Sequence, residues 1–478
     1  MQLSLKTLSA VKTGVLVPAY DRAAVSVGVV HFGPGAFHRG HQACYIDSLL
    51  AKDPRWGICE VELRPGGSAA ALLAQDCLYT VAELEVHPQF RIVGSIKEYL
   101  TVDGGLEPIF ARLCDPAVRL VTMTVTEKGY CLGSDGGLNA SHPDIIHDLA
   151  NPQAPVSLVG WIVEGLRRRR AAGVAPFTAM SCDNVMGNGH KLKRAVLDYA
   201  DALGDKAFAA WLATAVRFPC TMVDSITPAT TDEVRQKVAD GIGLTDSAPV
   251  QRERFLQWVI EDVLGPDGPD FASVGADVID DVEAYELAKL RLLNGAHSTL
   301  AYAGLLRGAA SVEAAMNDAP LSSYVEAMMR EDIVPSLRPV QGFDTGAYIT
   351  ALLQRFRNPA LTHLLIQIAS DGSQKLPYRV LGTIVDNLAA GRGVGRLALP
   401  VAAWMRFVER EAKAGRSFND PLTEQLVAVG TSCTGTATGD LPRFFALNHV
   451  FPAALIGNAA FIDAVSAAYA ALPAGKLA

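Results

Sequence analysis

The sequence predicts an α/β domain with a mostly parallel, doubly wound sheet over residues 1–279, followed by a mainly α-helical domain over residues 280–478. Three observations predict it. Short β-branched runs alternate with helical stretches through the first part. A glycine-rich turn directly follows the first of those runs. From Asp281 onward the chain reads as successive amphipathic helices rich in Ala and Leu. With 478 residues, 50% of them apolar, the chain is too long for one ordinary core, and two domains are the natural division.

Ser26–Phe32 (SVGVVHF) is the first predicted strand, and Gln42–Leu50 is the helix after the turn. Strands are next expected at Trp56–Leu63, Phe90–Val93, Arg119–Thr126 and Pro176–Cys182, with a helix at Val159–Arg170 before the last. In the second half, breaks between helices are expected at Pro335, Pro359, Pro377 and Pro400.

Composition narrows the function classes. There are 42 Lys+Arg against 50 Asp+Glu, a formal net charge of -8. Without clustered cations the chain is a poor partner for nucleic acid. The one basic run, Arg167–Arg170, is expected to be a solvated helix end. No run of 18 apolar residues or secretory signal pattern is present, so no membrane association is expected. Cysteines 44, 59, 77, 114, 131, 182, 220 and 433 are scattered singly, which suggests reduced thiols in a cytoplasmic protein and no structural metal.

Gly33-Pro34-Gly35-Ala36-Phe37-His38 joins the first strand to a helix. Such a strand–GxG–helix unit opens a Rossmann-type dinucleotide site. The first Gly permits the tight turn, and the second lets backbone N–H groups approach a pyrophosphate. His38 replaces the third motif glycine. A ribose-binding acid is expected near the second strand's end, where Glu60 and Glu62 lie. Arg64 could tolerate a 2′-phosphate, which leaves NAD and NADP both open. The plain alternative for both glutamates is a solvent-facing strand edge.

The richest segment runs from Tyr285 to His297 (YELAKLRLLNGAH). At ~100° per residue with Lys289 at zero, Glu286 falls at ~60°, His297 at ~80° and Asn294 at ~140°. The rest of the helix is largely leucine, so this polar face is expected to meet a cavity or other polar groups. A surface helix with a Glu286–Lys289 ion pair is the alternative. Gly295 lowers helix propensity, so a close approach of a ligand or helix should favour it there.

Eight ordered blocks resemble the mannitol dehydrogenase family of polyol-specific long-chain dehydrogenases, which includes fructuronate reductases. They are HFGPGAFHRGHQA (31–43), QDCLYTVAE (75–83), TVTEKGY (124–130), SCDNVMGNG (181–189), FPCTMVD (218–224), QWVIED (257–262), KLRLLNGAHS (289–298) and DGSQKLPYR (371–379). The resemblance implies metal-independent hydride transfer between a nicotinamide cofactor and a secondary alcohol of a sugar alcohol or acid. The family's K-x4-N-x2-H pattern falls on Lys289 as general acid/base, Asn294 as oxyanion donor and His297 as substrate-positioning group. Asn184 would be the second oxyanion donor and Glu286 a proton relay, with Asp224 and Lys375 near the substrate. Gly33, Gly35, Ala36, Phe37, His38, Glu62, Arg64 and Thr126 are the cofactor-binding candidates, with NAD the expected cofactor and no metal.

That chemistry is sensible. Hydride leaves carbon only as the hydroxyl proton is taken, yet an ordinary lysine, with pKa ~10.4, is protonated at neutral pH. Burial and a nearby positive nicotinamide ring would lower it. Two amides would stabilise the developing alkoxide.

Relatives often carry Arg at the positions of Ser225 and Gln367, and acids where Gly66 and Gly67 stand. The missing cations favour a neutral polyol such as mannitol, oxidised to the ketose, over D-mannonate. A nucleotide-binding protein without catalysis is the reading from another class. A monomer or small homo-oligomer is expected.

Overall fold

A computed structural model describes residues 1–64, 67–85, 87–133, 135–339, 343–360, 363–417 and 419–472. The chain divides into two compact units, Met1–Glu283 and Ala284–Ala478.

The strands of the first unit are β1 (Val27–Phe32), β2 (Gly57–Glu62), β3 (Tyr79–Glu83), β4 (Gln89–Val93), β5 (Ile96–Thr101), β6 (Leu120–Met123), β7 (Thr178–Ser181), β8 (Thr221–Asp224), β9 (Val250–Arg252), β10 (Gln257–Glu261) and β11 (Asp277–Ile279). Five of them form a sheet in the order β5-β2-β1-β6-β7, every pair parallel. β1 is buried along its whole length, as a central parallel strand should be. Val30 and Phe32 enter one core with Trp161 and Leu192, whereas Val29 enters another with Ala43 and Trp258. Both faces are therefore covered, which makes the sheet doubly wound. The order reverses between β1 and β6, so their carboxyl ends flank the switch-point crevice where such sheets bind ligands.

Two three-stranded sheets, β11-β10-β8 and β4-β3-β9, accompany it. The predicted Phe90–Val93 strand thus exists but pairs antiparallel with β3, outside the main sheet. The basic run also departs from expectation. Arg167 and Arg168 pair with Glu164, but Arg169 is buried and donates to the carbonyls of Ala175, Leu113 and Asp115. It gives the Leu113 carbonyl a donor inside the protein and ties the Asp115 and Ala175 loops to it.

The second unit is helical. Its central helix, Gly295–Leu306, is buried from Gly295 to Gly304 and packs on the long helix Gly395–Lys413. Three π-helical segments occur, at Leu290–Asn294, Met328–Ile333 and Pro377–Leu381. Pro377 therefore opens a π turn where a break was expected. Pro400 lies inside its helix without interrupting it. A proline there removes the bond to the carbonyl four residues back, that of Arg396. The Tyr324 hydroxyl donates to this very carbonyl at 3.1 Å. Tyr324→Phe should consequently lower stability by about 1 kcal/mol, measured by denaturant unfolding. An unchanged midpoint would show that the orphaned carbonyl needs no partner.

No helix among the described residues is long and apolar enough to cross a membrane. All eight cysteines are free.

Candidate active site

The first unit supplies a cradle at the switch point. Gly33 adopts φ +92°, and an added Cβ would lie 2.2 Å from the Thr124 carbonyl oxygen. The Thr124 hydroxyl in turn donates to the Gly33 carbonyl at 2.8 Å, tying the ends of β1 and β6 together. Gly35 is different. Its Cβ would meet only the Gly33 oxygen, at 3.9 Å, so the turn is open on that side. The N–H groups of Ala36 and Phe37 begin the Ala36–Gly40 helix and have no partner within it. A turn left open by a missing side chain, edged by donors, fits a dinucleotide pyrophosphate.

His38 turns inward from this cradle. Its ring is fully buried, stacked 3.3 Å from that of His31, with Nε2 2.9 Å from Glu60 Oε1 but off the hydrogen-bonding direction. Glu60 is thus no solvent-facing edge residue. Burial pushes its carboxyl up to about 7 and the His38 ring down to about 3, so an uncharged ring faces a carboxyl that takes up a proton near neutral pH. His31, His38 and Glu60 have ligand-like spacing, as do Cys131, His142 and Asp144. In the first group the stacked rings point their in-plane lone pairs side by side rather than at a common ion. In the second, His142 Nδ1 already accepts the Asp144 N–H at 3.2 Å.

Glu62 ends β2, and Oε2 accepts from the Tyr99 hydroxyl at 3.2 Å. A Cβ at Gly67 would overlap its other oxygen, so a side chain there would displace the Glu62 carboxylate. Arg64 is exposed, and Gly66 lies outside the described residues.

Thr126 holds φ +67°, a conformation that a non-glycine residue keeps only under constraint. The constraint is Asp183, which the sequence reading missed. Its carboxylate accepts from Thr126 N at 2.8 Å, Val125 N at 3.0 Å and the Tyr130 hydroxyl at 2.7 Å. An acid directly before the expected Asn184 was the available signal. Asn184 itself is exposed, and Asp224 is buried at the end of β8.

The polar cluster of the second unit is tighter than an ideal helix predicts. Lys289 ends the Val282–Lys289 helix, and the π segment Leu290–Asn294 follows before Gly295–Leu306. A π turn spends an extra residue, rotating all later positions back by about 90°. Asn294 moves to ~50° and His297 to ~−10°, so the four polar groups share a sector of ~70° instead of ~140°. All four are buried: Glu286 and Lys289 are 7% exposed, Asn294 8% and His297 6%. Gly295 has the close approach expected of it, since a Cβ would lie 3.0 Å from the Arg379 carbonyl oxygen.

His297 lies against Phe356 and His363, with ring centroids at 4.7 and 5.2 Å. Its Nε2 is sealed without a hydrogen-bond partner, as an atom waiting for a ligand oxygen would be. Burial, then the neighbouring His363 and cations, hold its pKa well below 6.5. The unfolded chain therefore binds a proton that the native ring refuses. This contribution to stability is complete above pH 6.5 and is lost on acidification, by up to about 1.4 kcal/mol per pH unit. Thermal unfolding between pH 7.5 and 5 should show that slope, reduced in His297→Asn. An identical slope in the variant would assign it elsewhere. Lys375, near the same helix, donates to the Ser370 carbonyl at 2.7 Å and lies 3.6 Å from Asp371. Burial lowers its pKa.

Comparison with known proteins follows the same division. The mannitol dehydrogenase Rossmann domain model matches residues 27–268, and the mannitol dehydrogenase C-terminal domain model matches residues 281–473. D-mannonate oxidoreductase of Escherichia coli (strain K12) is 42% identical over 461 residues, covering 95% of this chain and 94% of that protein. Mannitol 2-dehydrogenase of Phaeosphaeria nodorum is 39% identical, covering 90% and 77%. Among solved structures, Pseudomonas fluorescens mannitol 2-dehydrogenase in ternary complex with NAD and D-mannitol superposes with a TM-score of 0.85 at 36% identity, covering 99% and 97%.

Proposed function

The chain belongs to the mannitol dehydrogenase family, and from that premise we propose that it oxidises a secondary alcohol of an open-chain polyol such as mannitol to the ketose, and catalyses the reverse, with NAD. Residues 1–279 bind the cofactor and residues 280–478 carry the substrate chemistry. The observation that carries this reading is the buried sector of Glu286, Lys289, Asn294 and His297 gathered by the π turn.

NAD, bound at Gly33, Gly35, Ala36 and Phe37, supplies the hydride acceptor. His38 and Thr126 shape that turn, while Glu62 and Arg64 take the ribose end, where Arg64 leaves NADP open. Lys289 removes the hydroxyl proton, and Glu286 passes it outward. Asn294 and Asn184 donate to the developing alkoxide, His297 Nε2 positions a substrate oxygen, and Asp224 and Lys375 bind further hydroxyls.

A second reading takes D-mannonate as substrate, favoured by the relative at 42% identity over nearly the whole chain. We further place the protein in the cytoplasm as a monomer or small homo-oligomer without a nucleic-acid partner, given its net charge of -8 and free thiols. A panel of polyols and aldonates, followed by NADH and NADPH absorbance, tests the reading. Turnover of at least one polyol or aldonate with NAD is expected. Faster turnover of mannonate than of every polyol would select the second reading, and no turnover of any member would overturn both.

A further inference from the structure

The Pro377–Leu381 segment carries a guanidinium that the reaction above does not use. Arg379 lies one helical turn beyond Lys375, and its Nη1 donates to Ser298 Oγ at 3.3 Å. That is its one side-chain hydrogen bond among the described residues, and no carboxylate there lies within ion-pairing distance. Asp371, whose charge it feels, is the neighbour of Lys375 instead. Three other arginines of this unit are neutralised, Arg291 by Asp386, Arg307 by Asp318 and Arg406 by Glu409, whereas Arg392 donates to the neutral Asn387 amide. Arg379 is partly exposed, and burial of the rest of its side chain lowers its pKa to about 10.

Its position is also specific. Ser298 follows His297, and Gly295 admits the Arg379 carbonyl against the same helix. The positive charge of Arg379 acts on both His297 and Lys375, two of the residues assigned to the substrate. A partly buried cation without a counter-ion is open to an anionic partner, and a planar guanidinium matches a carboxylate with two parallel hydrogen bonds. A neutral polyol would leave it uncompensated. Neither position where relatives carry arginine supplies a cation here: Ser225 donates to the Phe255 carbonyl, and Gln367 is exposed.

We infer that Arg379 binds the carboxylate of an open-chain sugar acid, making it the residue that selects an acid over a neutral polyol. The inference rests on the site proposed above and selects the second substrate reading given there, the sugar acid, in place of the polyol.

Calorimetric titration of D-mannonate and D-mannitol into the wild-type protein with NADH bound tests it without requiring turnover. Mannonate should bind more tightly than mannitol. R379Q should reduce the mannonate-to-mannitol affinity ratio by about 30- to 100-fold. R379K, which keeps the charge but not the fork, should restore part of the ratio, and thermal unfolding checks that both variants fold. Kinetically, the loss in R379Q should appear mainly in KM for mannonate. An unchanged ratio in R379Q, or wild-type binding of mannitol as tight as that of mannonate, overturns the inference. If mannonate binds through Arg379 but is not oxidised, the assignment of Arg379 stands and the proposed reaction fails.

Discussion

Lys289→Ala should lower kcat for alcohol oxidation by about 10²- to 10⁴-fold, the range spanned by removal of a positioned general base. NADH should still bind to the variant, read by its fluorescence. The argument begins with burial, since the side chain is 7% exposed at the last residue before a π turn. A residue type that strongly prefers water is held there with three other polar groups on one sector, which chance placement on a helix does not explain. Only the free amine can accept the substrate's proton, so wild-type oxidation should rise with pH through one ionisation. Lys289→Arg should be nearly as impaired as the alanine variant, because a guanidinium does not give up its proton in this pH range. Near-normal turnover in either variant, or a flat wild-type pH profile, would remove Lys289 from the role of base.

Much of this site was legible because chemistry and periodicity coincide along short stretches. Val27–Phe32 and the turn after it show both their strand and their glycines, and Glu286 to His297 show a polar face on a leucine helix. What escaped depends on partners distant in sequence. Glu60 looks like an edge residue until His38 is folded over it, and Arg169 looks solvated until the Leu113 and Asp115 carbonyls arrive. Pro400 reads as a helix break, and only the Tyr324 hydroxyl shows why it is not one. The π turn is the most consequential omission. Nothing in Leu290–Asn294 announces an extra residue per turn, yet it halves the sector that the polar groups occupy. Asp183 was hidden by its neighbour, as the amide beside it drew the functional assignment while the carboxylate secured the Val125–Thr126 backbone.

The two glycines of the turn should fail in opposite ways. Gly33→Ala places a Cβ 2.2 Å from the Thr124 carbonyl oxygen on a residue at φ +92°. Both the left-handed backbone and the clash oppose it, and the obstacle is backbone that cannot swing aside. A stability loss of about 3 kcal/mol or more is expected, together with weakened NAD binding, because the β1 and β6 ends must separate. Gly35→Ala has no such penalty, since its Cβ meets nothing closer than 3.9 Å. Its methyl instead occupies the open side of the cradle. The melting temperature should stay within about 1 °C of wild type, a change of about 0.6 kcal/mol or less for a unit of this size, while NAD affinity falls by about tenfold or more. Thermal unfolding without cofactor, paired with NADH titration of each variant, separates the effects. Equal NADH affinity in Gly35→Ala and wild type would mean that the cofactor phosphates lie elsewhere, and the dinucleotide assignment of this turn would fall with it.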